Sequence, residues 1–371
     1  MSTRPFARAP LVLVFLAAGA LACQDDPQSP TSENDTASPR GPAADVTAAA
    51  TYTVKNLGTL GGASAEANAI NDQGRVVGWS LLANGRQHAF LYRAGTMRDL
   101  GALAGGLSEA ADINNTDVVV GWSAVASGAQ RAVRWQNGKI TNLGTLGGRN
   151  SQATAINDYG VIVGWSETGS GNRHAFVWQN GTMRDLGTLG GSTSVAWDIN
   201  RAGKIVGGSS TASGEGHAFT WKDGVFKDLG THGREFASAT AVNTKGQIAG
   251  ILGPFLDAEG EERDMTDPFL YSQDTWISIA GSSMTNEVFG MNNDGLVVGS
   301  GVDLRDEEGR EKAFVSGQGT QNLLPPLVPT SNGIYRTRAN DINNFGTIVG
   351  SSTELIGNGS GPNRAVLWRR Q

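Results

Sequence analysis

Short runs of apolar and β-branched residues alternate with polar turns along the chain, and residues 151–187 show the pattern clearly. Residues 151–157 alternate small and larger side chains, and residues 161–166 are apolar and β-branched. Residues 174–178 and 183–187 flank a Gln-Asn-Gly turn, and no segment of this unit has helical periodicity. The pattern predicts four short strands, A to D, with tight turns after A and after C.

This four-strand pattern repeats, and two marker residues show its period. An Asn ends strand A in each unit, and a Gly follows seven residues later in strand B. The first four steps between marker Asn residues are 43 residues each, and the last two are 49 and 51. A repeat of this length predicts seven similar units in a ring or an array. The marker Asn residues are Asn71, Asn114, Asn157, Asn200, Asn243, Asn292 and Asn343.

The two ends of the repeat region complement each other. Residues 52–58 match a strand D with no unit before it, and residues 365–368 match a strand C with no strand D after it. In a closed ring the first segment completes the last sheet and protects its edge. We therefore predict an all-β fold for residues 51–371, a seven-bladed β-propeller of four-stranded blades closed by the N-terminal strand. An open β-solenoid, which gains nothing from this arrangement, is the alternative.

The first 50 residues have a different character. Arg4 and Arg8 precede an apolar run, residues 11–22, that is too short to span a bilayer and ends at Cys23. We predict a signal peptide over residues 1–22. The junction resembles a bacterial lipoprotein signal, which implies a lipidated Cys23 and an outer-membrane lipoprotein facing the periplasm or the cell surface. An ordinary secretory signal cut at the same bond is the alternative. Residues 23–50 would then carry the lipid and form a disordered tether rich in Pro, Ser and Thr.

Composition narrows the partners and cofactors. The net charge of -6 and the scattered Lys and Arg argue against nucleic acid as the main partner. The single Cys excludes an intrachain disulfide and a Cys-based metal site. We expect no cofactor, a monomer, and contact with the membrane only through the lipid anchor.

The repeated motifs resemble the bacterial extracellular HAF-repeat family. Each unit of the first half carries Leu-Gly-Thr-Leu-Gly-Gly, Ala-Ile-Asn-Asp or Val-Val-Gly-Trp-Ser in close variants, and the tripeptide His-Ala-Phe begins at His88, His174 and His217. The match covers about residues 52–368 and weakens in the last three units. The resemblance implies export and a repeat fold, without an established reaction.

Side chains that recur in every unit are interpreted as structural. His88, His174 and His217 hold equivalent positions that a ring would spread apart, so we expect packing and not a metal site. The marker Asn residues are interpreted as turn caps. Three acidic residues near the end of strand A are interpreted as channel walls or as links between blades, with a bound cation as the other possibility. They are Asp112, Asp198 and Asp341.

Candidate binding residues are those that break the repeat. Trp197 lies on strand A of the fourth unit, outside the recurring Trp positions. At the start of the fifth unit, Thr-Leu-Gly-Gly becomes Thr-His-Gly-Arg-Glu, and the loops between strands B and C are longer in units five to seven. These features should gather on one face of a ring. The alternative to a binding site is sequence drift in solvent-exposed loops that have no function. The candidate ligand-binding residues are His232, Arg234, Glu235, Trp197, Asp257, Glu259, Glu261 and Glu262.

Two functions fit these features. We expect a non-catalytic extracytoplasmic binding or scaffolding module whose ligand is a cell-surface protein or a glycan. The alternative is an extracellular polysaccharide lyase or hydrolase, in which His232 and Glu235 would act as the acid/base pair. The sequence carries no nucleophile elbow, metal-ligand cluster or phosphate loop to support an enzyme.

Overall fold

The fold is that of a computed structural model. The structure describes residues 51–256, 262–263, 266–279, 284–303, 310–317, 320–327, 335–356 and 359–371. The chain divides into two compact units, Met1–Ala49 and Ala50–Gln371. The first unit lies outside the described residues, and so do the predicted signal peptide, Cys23 and the tether.

The described part of the second unit consists of thirty strands and contains no helix. Blades one to three contain β2 (Gly61–Ile70), β3 (Val76–Leu82), β4 (Gln87–Arg93), β5 (Thr96–Gly101), β6 (Ser108–Ile113), β7 (Val119–Ala124), β8 (Gln130–Gln136), β9 (Lys139–Gly144), β10 (Gly147–Ile156), β11 (Ile162–Thr168), β12 (Arg173–Gln179) and β13 (Thr182–Gly187). Blades four and five contain β14 (Gly190–Ile199), β15 (Ile205–Thr211), β16 (Gly216–Lys222), β17 (Val225–Gly230), β18 (Ala237–Val242), β19 (Ile248–Leu252), β22 (Asp267–Ser272) and β23 (Thr275–Ser278), with β20 (Phe255–Leu256) and β21 (Glu262–Arg263) inserted after β19. Blades six and seven contain β24 (Met284–Met291), β25 (Val297–Asp303), β26 (Glu311–Gly317), β27 (Thr320–Leu323), β28 (Tyr335–Ile342), β29 (Ile348–Ile356), β30 (Gly359–Arg370) and the N-terminal β1 (Tyr52–Asn56).

Seven four-stranded antiparallel sheets form the blades, which confirms the predicted architecture. In the seventh blade the strand order is β1-β30-β29-β28, so the N-terminal strand occupies the outer position. Tyr52 opposes Arg370 and Asn56 opposes Val366 in this pairing. Blade seven also packs on blade one, where Asn343 donates a 3.0 Å hydrogen bond to the carbonyl of Asn71. The last blade therefore meets the first, which an open solenoid would not allow.

A bulge in strand A explains the marker Gly of strand B. The register shifts between Ala153 and Ala155, because Thr154 is the extra residue in β10. The bulge brings the strand A backbone against Gly164, where a Cβ atom would overlap the carbonyl oxygen of Gln152. The same overlap occurs at the marker Gly of every blade, so this position requires the absence of a side chain. The marker Gly residues are Gly78, Gly121, Gly164, Gly207, Gly250, Gly299 and Gly350.

The hydrophobic core consists of layers between neighbouring blades. The Phe of each His-Ala-Phe motif, such as Phe176, is fully buried in strand C. One layer joins Val120 and Ala132 of blade two to Ile162 and Trp178 of blade three. All but one of the recurring Trp residues are buried as well, with Trp165 only 7% exposed and Trp368 fully enclosed, while Trp122 is half-buried. Each blade therefore buries its apolar faces only when it has neighbours on both sides.

Candidate functional site

The antiparallel order of the strands gives the ring two distinct faces. Turns between strands A and B and between C and D lie at one end of each blade, called here the turn face. Loops between B and C and connections from D to the next A lie at the opposite end, called here the loop face. The β20–β21 hairpin is an insertion between strands B and C of blade five, so it lies on the loop face as the sequence predicted.

The marker Asn side chains form a hydrogen-bonded ring at the inner end of the turn face. In every blade Asn Oδ1 accepts a bond from the backbone N–H four residues later, which caps the turn. In every blade Asn Nδ2 also donates to the carbonyl of the marker Asn in the next blade, at 2.9 to 3.4 Å. The predicted turn cap is therefore present, together with an inter-blade link that the sequence did not reveal.

Three acidic side chains reinforce this ring from inside the hole. Asp112, Asp198 and Asp341 each accept a bond at Oδ1 from the N–H of the following residue. Each also accepts a bond at Oδ2 from a backbone N–H of the next blade, at 2.7 to 2.8 Å. These bonds join blades two to three, four to five and seven to one. The carboxylates are thus links between blades, as the sequence suggested.

The same carboxylates have perturbed acidity. Each keeps partial contact with solvent in the hole, but protein surrounds it on most sides. This burial raises the pKa of Asp112 to about 7, and repulsion from Asp341 and Asp198 acts in the same direction. Burial likewise raises the pKa of Asp341 to about 7 and that of Asp198 to about 6, against the opposing effect of their backbone hydrogen bonds. Near neutral pH Asp112 and Asp341, with pKa values of about 7, are therefore partly protonated, and Asp198, with a pKa of about 6, is more ionised than they are.

The hole opens on the turn face into a polar mouth of about 330 Å³. The marker Asn residues, the three buried carboxyl groups and the residue after each marker Asn line it. The residues after the marker Asn are Asp72, Asn115, Asp158, Arg201, Thr244, Asn293 and Asn344. In five of the seven blade interfaces their backbone N–H groups bond to the side chain of the next member. This second ring is interrupted on both sides of Arg201. The guanidinium of Arg201 offers no acceptor to the N–H of Asp158, and the hydroxyl of Thr244 is engaged in a bond to Asn293.

Two large aromatic side chains stand at the rim of this mouth, which the sequence reading missed. Tyr159 is 69% exposed and Phe345 is 78% exposed. Each follows a mouth-lining residue in its turn, and the guanidinium of Arg201 lies 5.6 Å from the centre of the Tyr159 ring. The signal was present in the sequence, because the corresponding positions in the other five units carry no aromatic residue.

On the loop face, the structure places the predicted residues of blade five in a tight turn. His232 has φ 52° and Gly233 has φ 75°, and the N–H of Arg234 donates to the carbonyl of Thr231. The imidazole of His232 stacks on Trp276, with ring centres 5.3 Å apart and planes inclined by 13°. Glu235 is exposed. His232 and Glu235 thus share one surface.

The remaining predicted residues have different surroundings. Arg234 forms a 2.6 Å ion pair with Asp267 of β22, and both side chains are 24% exposed. Trp197 lies in β14 and donates from Nε1 to Ser238 of blade five at 3.1 Å, so it joins two blades. Asp257, Glu259 and Glu261 lie outside the described residues, and Glu262 lies in β21. Among the described residues no hydrogen bond joins His232 to Glu235.

The repeated His residues form pairs within their own blades. His88, His174 and His217 bond through Nδ1 to Asp99, Asp185 and Asp228 at 2.8 to 2.9 Å. Each pair joins strand C to strand D, in agreement with a packing role. In the described part of the chain no group of three or more His, Cys, Asp or Glu side chains has the arrangement of a metal site.

Within the described ranges, no helix is long and apolar enough to cross a membrane.

These features define a seven-bladed β-propeller whose inner wall is a hydrogen-bonded ring of Asn and Asp. Solved structures similar to it include TolB from Acinetobacter baumannii, with 14% identity, a TM-score of 0.45, and coverage of 67% of this chain and 63% of that one. Another is "YCF48 bound to D1 peptide", with 13% identity, a TM-score of 0.48, and coverage of 86% and 96%. A third is AofleA from Arthrobotrys oligospora, with 13% identity, a TM-score of 0.40, and coverage of 76% and 92%.

At these identities the similarities identify no ligand and no reaction, and the fold rests on the sheet topology given above. No protein-family model and no curated protein matches the chain, so membership of the HAF-repeat family stays an expectation.

Proposed function

We propose that the protein is a non-catalytic extracytoplasmic binding or scaffolding module. The observation that supports this proposal is that some polar side chains hold the ring together and others are exposed on one face. Those that recur with the repeat hold the ring together, between blades in the case of the marker Asn residues and within a blade in the case of the His residues. His232 and Glu235 break the repeat and are exposed on the loop face. A rigid ring with variable loops on one face is suited to presenting a binding surface.

The proposed ligand surface is the start of blade five. His232 lies against Trp276, which fixes the orientation of the imidazole, and Glu235 is exposed nearby in sequence. The Arg234–Asp267 ion pair anchors the turn to strand C of the same blade. The β20–β21 hairpin, with Glu262 in β21, is inserted between strands B and C of this blade and so lies on the same face. Asp257, Glu259 and Glu261, which lie outside the described residues, belong to the proposal by their place in the sequence. A cell-surface protein or a glycan with hydrogen-bonding groups fits such a surface.

A binding screen tests this proposal. The purified protein is screened against surface glycans, peptidoglycan fragments and envelope proteins, and each solution is then analysed for cleavage products. We expect binding without turnover, weakened about tenfold by the double substitution His232→Ala/Glu235→Gln. The matched control is Asp223→Asn, which removes an exposed charge on the opposite face and installs the residue that blades two and three carry as Asn137 and Asn180. Product formation that His232→Ala abolishes would instead establish the hydrolase or lyase.

Export and attachment through Cys23 belong to the same proposal. A lipidated Cys23 should direct the protein to the membrane fraction of a bacterial expression host, and Cys23→Ala should move it to a soluble fraction. Mass spectrometry of the N-terminal peptide measures the modification directly. A mature N-terminus at residue 23 with an unmodified thiol would favour the ordinary secretory signal.

A further inference from the structure

The mouth on the turn face carries more acidic than basic side chains, although the three inner carboxyl groups also link neighbouring blades. Five carboxyl groups line it, those of Asp72, Asp112, Asp158, Asp198 and Asp341, against the single guanidinium of Arg201. Not every blade carries these acids. The inner position is Ala69, Ala155, Ala241 or Gly290 in four blades, and the outer position is Asn115, Arg201, Thr244, Asn293 or Asn344 in five.

The exposed aromatic residues of the rim are unexplained by packing. Phe345 and Tyr159 occupy the tip of the turn between strands A and B, where the other blades carry Gln73, Thr116, Ala202, Lys245 and Asp294. The turn places no demand on this position, because five chemically different residues occupy it. The ring of Phe345 is 78% exposed. Among the large apolar side chains of the described residues it is the most exposed, so it offers apolar contact area to a partner.

The chemistry of the mouth selects the kind of partner. An anionic partner would be repelled by the carboxylates, and a neutral one would leave their mutual repulsion in place. A cation would relieve that repulsion and would also be attracted to the faces of the aromatic rings. Arg201 beside Tyr159 shows this contact within the chain itself. A Lys or Arg side chain carries such a cation at the end of a flexible aliphatic chain, which allows it to reach into the mouth from a segment docked on the face.

We propose that the turn face is a docking surface for a basic segment of a partner protein. In this proposal a Lys or Arg side chain of the segment enters the mouth, and Phe345 and Tyr159 contact the segment at the rim. This surface lies opposite the loop face, so it does not depend on the function proposed above.

A titration with a defined probe tests the docking surface. The probe is a fluorescein-labelled peptide of alternating Lys and Ser, followed by fluorescence anisotropy at low salt, with an alternating Glu and Ser peptide as the reference. We expect saturable binding of the Lys peptide alone. Asp72→Asn/Asp158→Asn should weaken it about fivefold, and Phe345→Ala about threefold. Other units carry Asn at the repeat position that Asp72 and Asp158 occupy, so the double variant should fold. The melting temperatures of the variants check this.

Two controls separate this site from general charge attraction and from the loop face. Asp223→Asn removes the same charge on the same face but at the outer turn of blade four, and His232→Ala alters the loop face. Both should leave the affinity for the Lys peptide unchanged. The proposal is wrong if the Lys peptide does not bind, or if Asp223→Asn weakens it as much as the mouth variants do. The proposal would also be wrong if a neutral oligosaccharide bound more tightly than the Lys peptide and the Asp substitutions left its affinity unchanged.

Affinity should also rise with pH, because the carboxyl groups in the mouth must ionise to attract a cation. Asp112 faces Asp341 and Asp198, Asp341 faces Asp198 and Asp72, and Arg201 and Asp158 complete the charged groups of the mouth. We expect the Lys peptide to bind more tightly at about pH 8 than at about pH 5.5. An affinity that is flat across this range would contradict entry of the cation among these groups.

Discussion

Single residues at repeated positions do two things at once in this protein. Asn157 caps its own turn through Oδ1 and holds the next blade through Nδ2. Gly164 continues strand B and leaves room for the bulge of strand A. Such double roles explain why the same residue types return in all seven blades. Sequence reasoning found the cap, because cap and turn lie in one segment. It missed the link, because the accepting carbonyl is 43 residues away.

Substitution of Asn157 separates the two roles. Asn157→Asp keeps the acceptor that caps the turn but turns a carboxylate oxygen toward the carbonyl of Asn200, so we expect the free energy of unfolding to fall by about 2 kcal/mol. Chemical denaturation measures the change. Asn180→Asp is the matched control, since the same exchange in the outer turn of blade three installs the residue that blade four carries as Asp223. Equal stability of the two variants would show that the Asn link contributes little.

The marker Gly allows a second test at this scale. Gly164→Ala places a methyl group on the carbonyl of Gln152, and we expect the free energy of unfolding to fall by roughly 2–4 kcal/mol. Gly169→Ala, in the loop that follows in the same blade, places its methyl group in open space and should change stability little. Thermal unfolding of the two variants checks the contrast. A tolerated Gly164→Ala would mean that the bulge can shift at low cost.

Among the structural elements, the strand A bulge and the turn that follows it make the side-chain contacts between neighbouring blades. The bulge residue points its side chain to the neighbouring blade, as Thr154 does with the carbonyl of Ala196 and Trp197 does with Ser238. The sequence predicted the strands and their order, since alternation and turn residues are local signals. It did not predict the bulge, and without the bulge Trp197 looked like a ligand contact. It also missed the β20–β21 hairpin, because that segment has no apolar alternation.

The inner end of strand A should make stability depend on pH. Asp112, Asp198 and Asp341 have folded-state pKa values of about 7, 6 and 7, above the unfolded value of about 4. Between about pH 4 and pH 7 these carboxyl groups hold protons in the folded protein that they have released in the unfolded chain. The contribution of these groups to stability is therefore greatest near pH 4, falls as pH rises, and levels off above about pH 7.

Comparison of two proteins isolates that contribution. The triple variant Asp112→Asn/Asp198→Asn/Asp341→Asn should lose this part of the pH dependence, so the difference in unfolding free energy between it and the native chain should change with pH between about 4 and 7. Asp223→Asn serves as the control. A difference that stays constant over that range would show that the three carboxyl groups titrate normally.

At the scale of the whole molecule, stability depends on completing a circle. Every blade buries its apolar faces against two neighbours, and β1 gives the seventh blade the outer strand that the end of the chain lacks. The sequence predicted this arrangement because its ends complement each other by one strand. It could not predict the mouth of the hole, because Asp72, Asp158 and Asn344 are far apart in the chain and line one cavity only when the ring forms.

Removal of β1 should therefore weaken the whole ring. Deletion of residues 51–58 exposes the edge of β30 and removes the buried side chain of Leu57 from the core that it shares with Ala365 and Leu367. We expect a lower melting temperature and aggregation on heating, measured by circular dichroism and light scattering. Deletion of the same number of residues from the N-terminal segment before residue 50 is the control and should leave both unchanged. An unaltered melting temperature after the first deletion would mean that β1 adds little to the ring.

The most direct test of the closed ring measures the proximity of the two chain ends in solution. Nitroxide labels are attached at Thr53→Cys and Arg369→Cys, which oppose each other in β1 and β30, with Cys23→Ala to leave no other thiol. Opposed residues in antiparallel strands have Cα atoms about 5 Å apart, so we predict strong dipolar broadening of the electron paramagnetic resonance spectrum. A spectrum equal to the sum of the two singly labelled proteins would contradict the closed propeller.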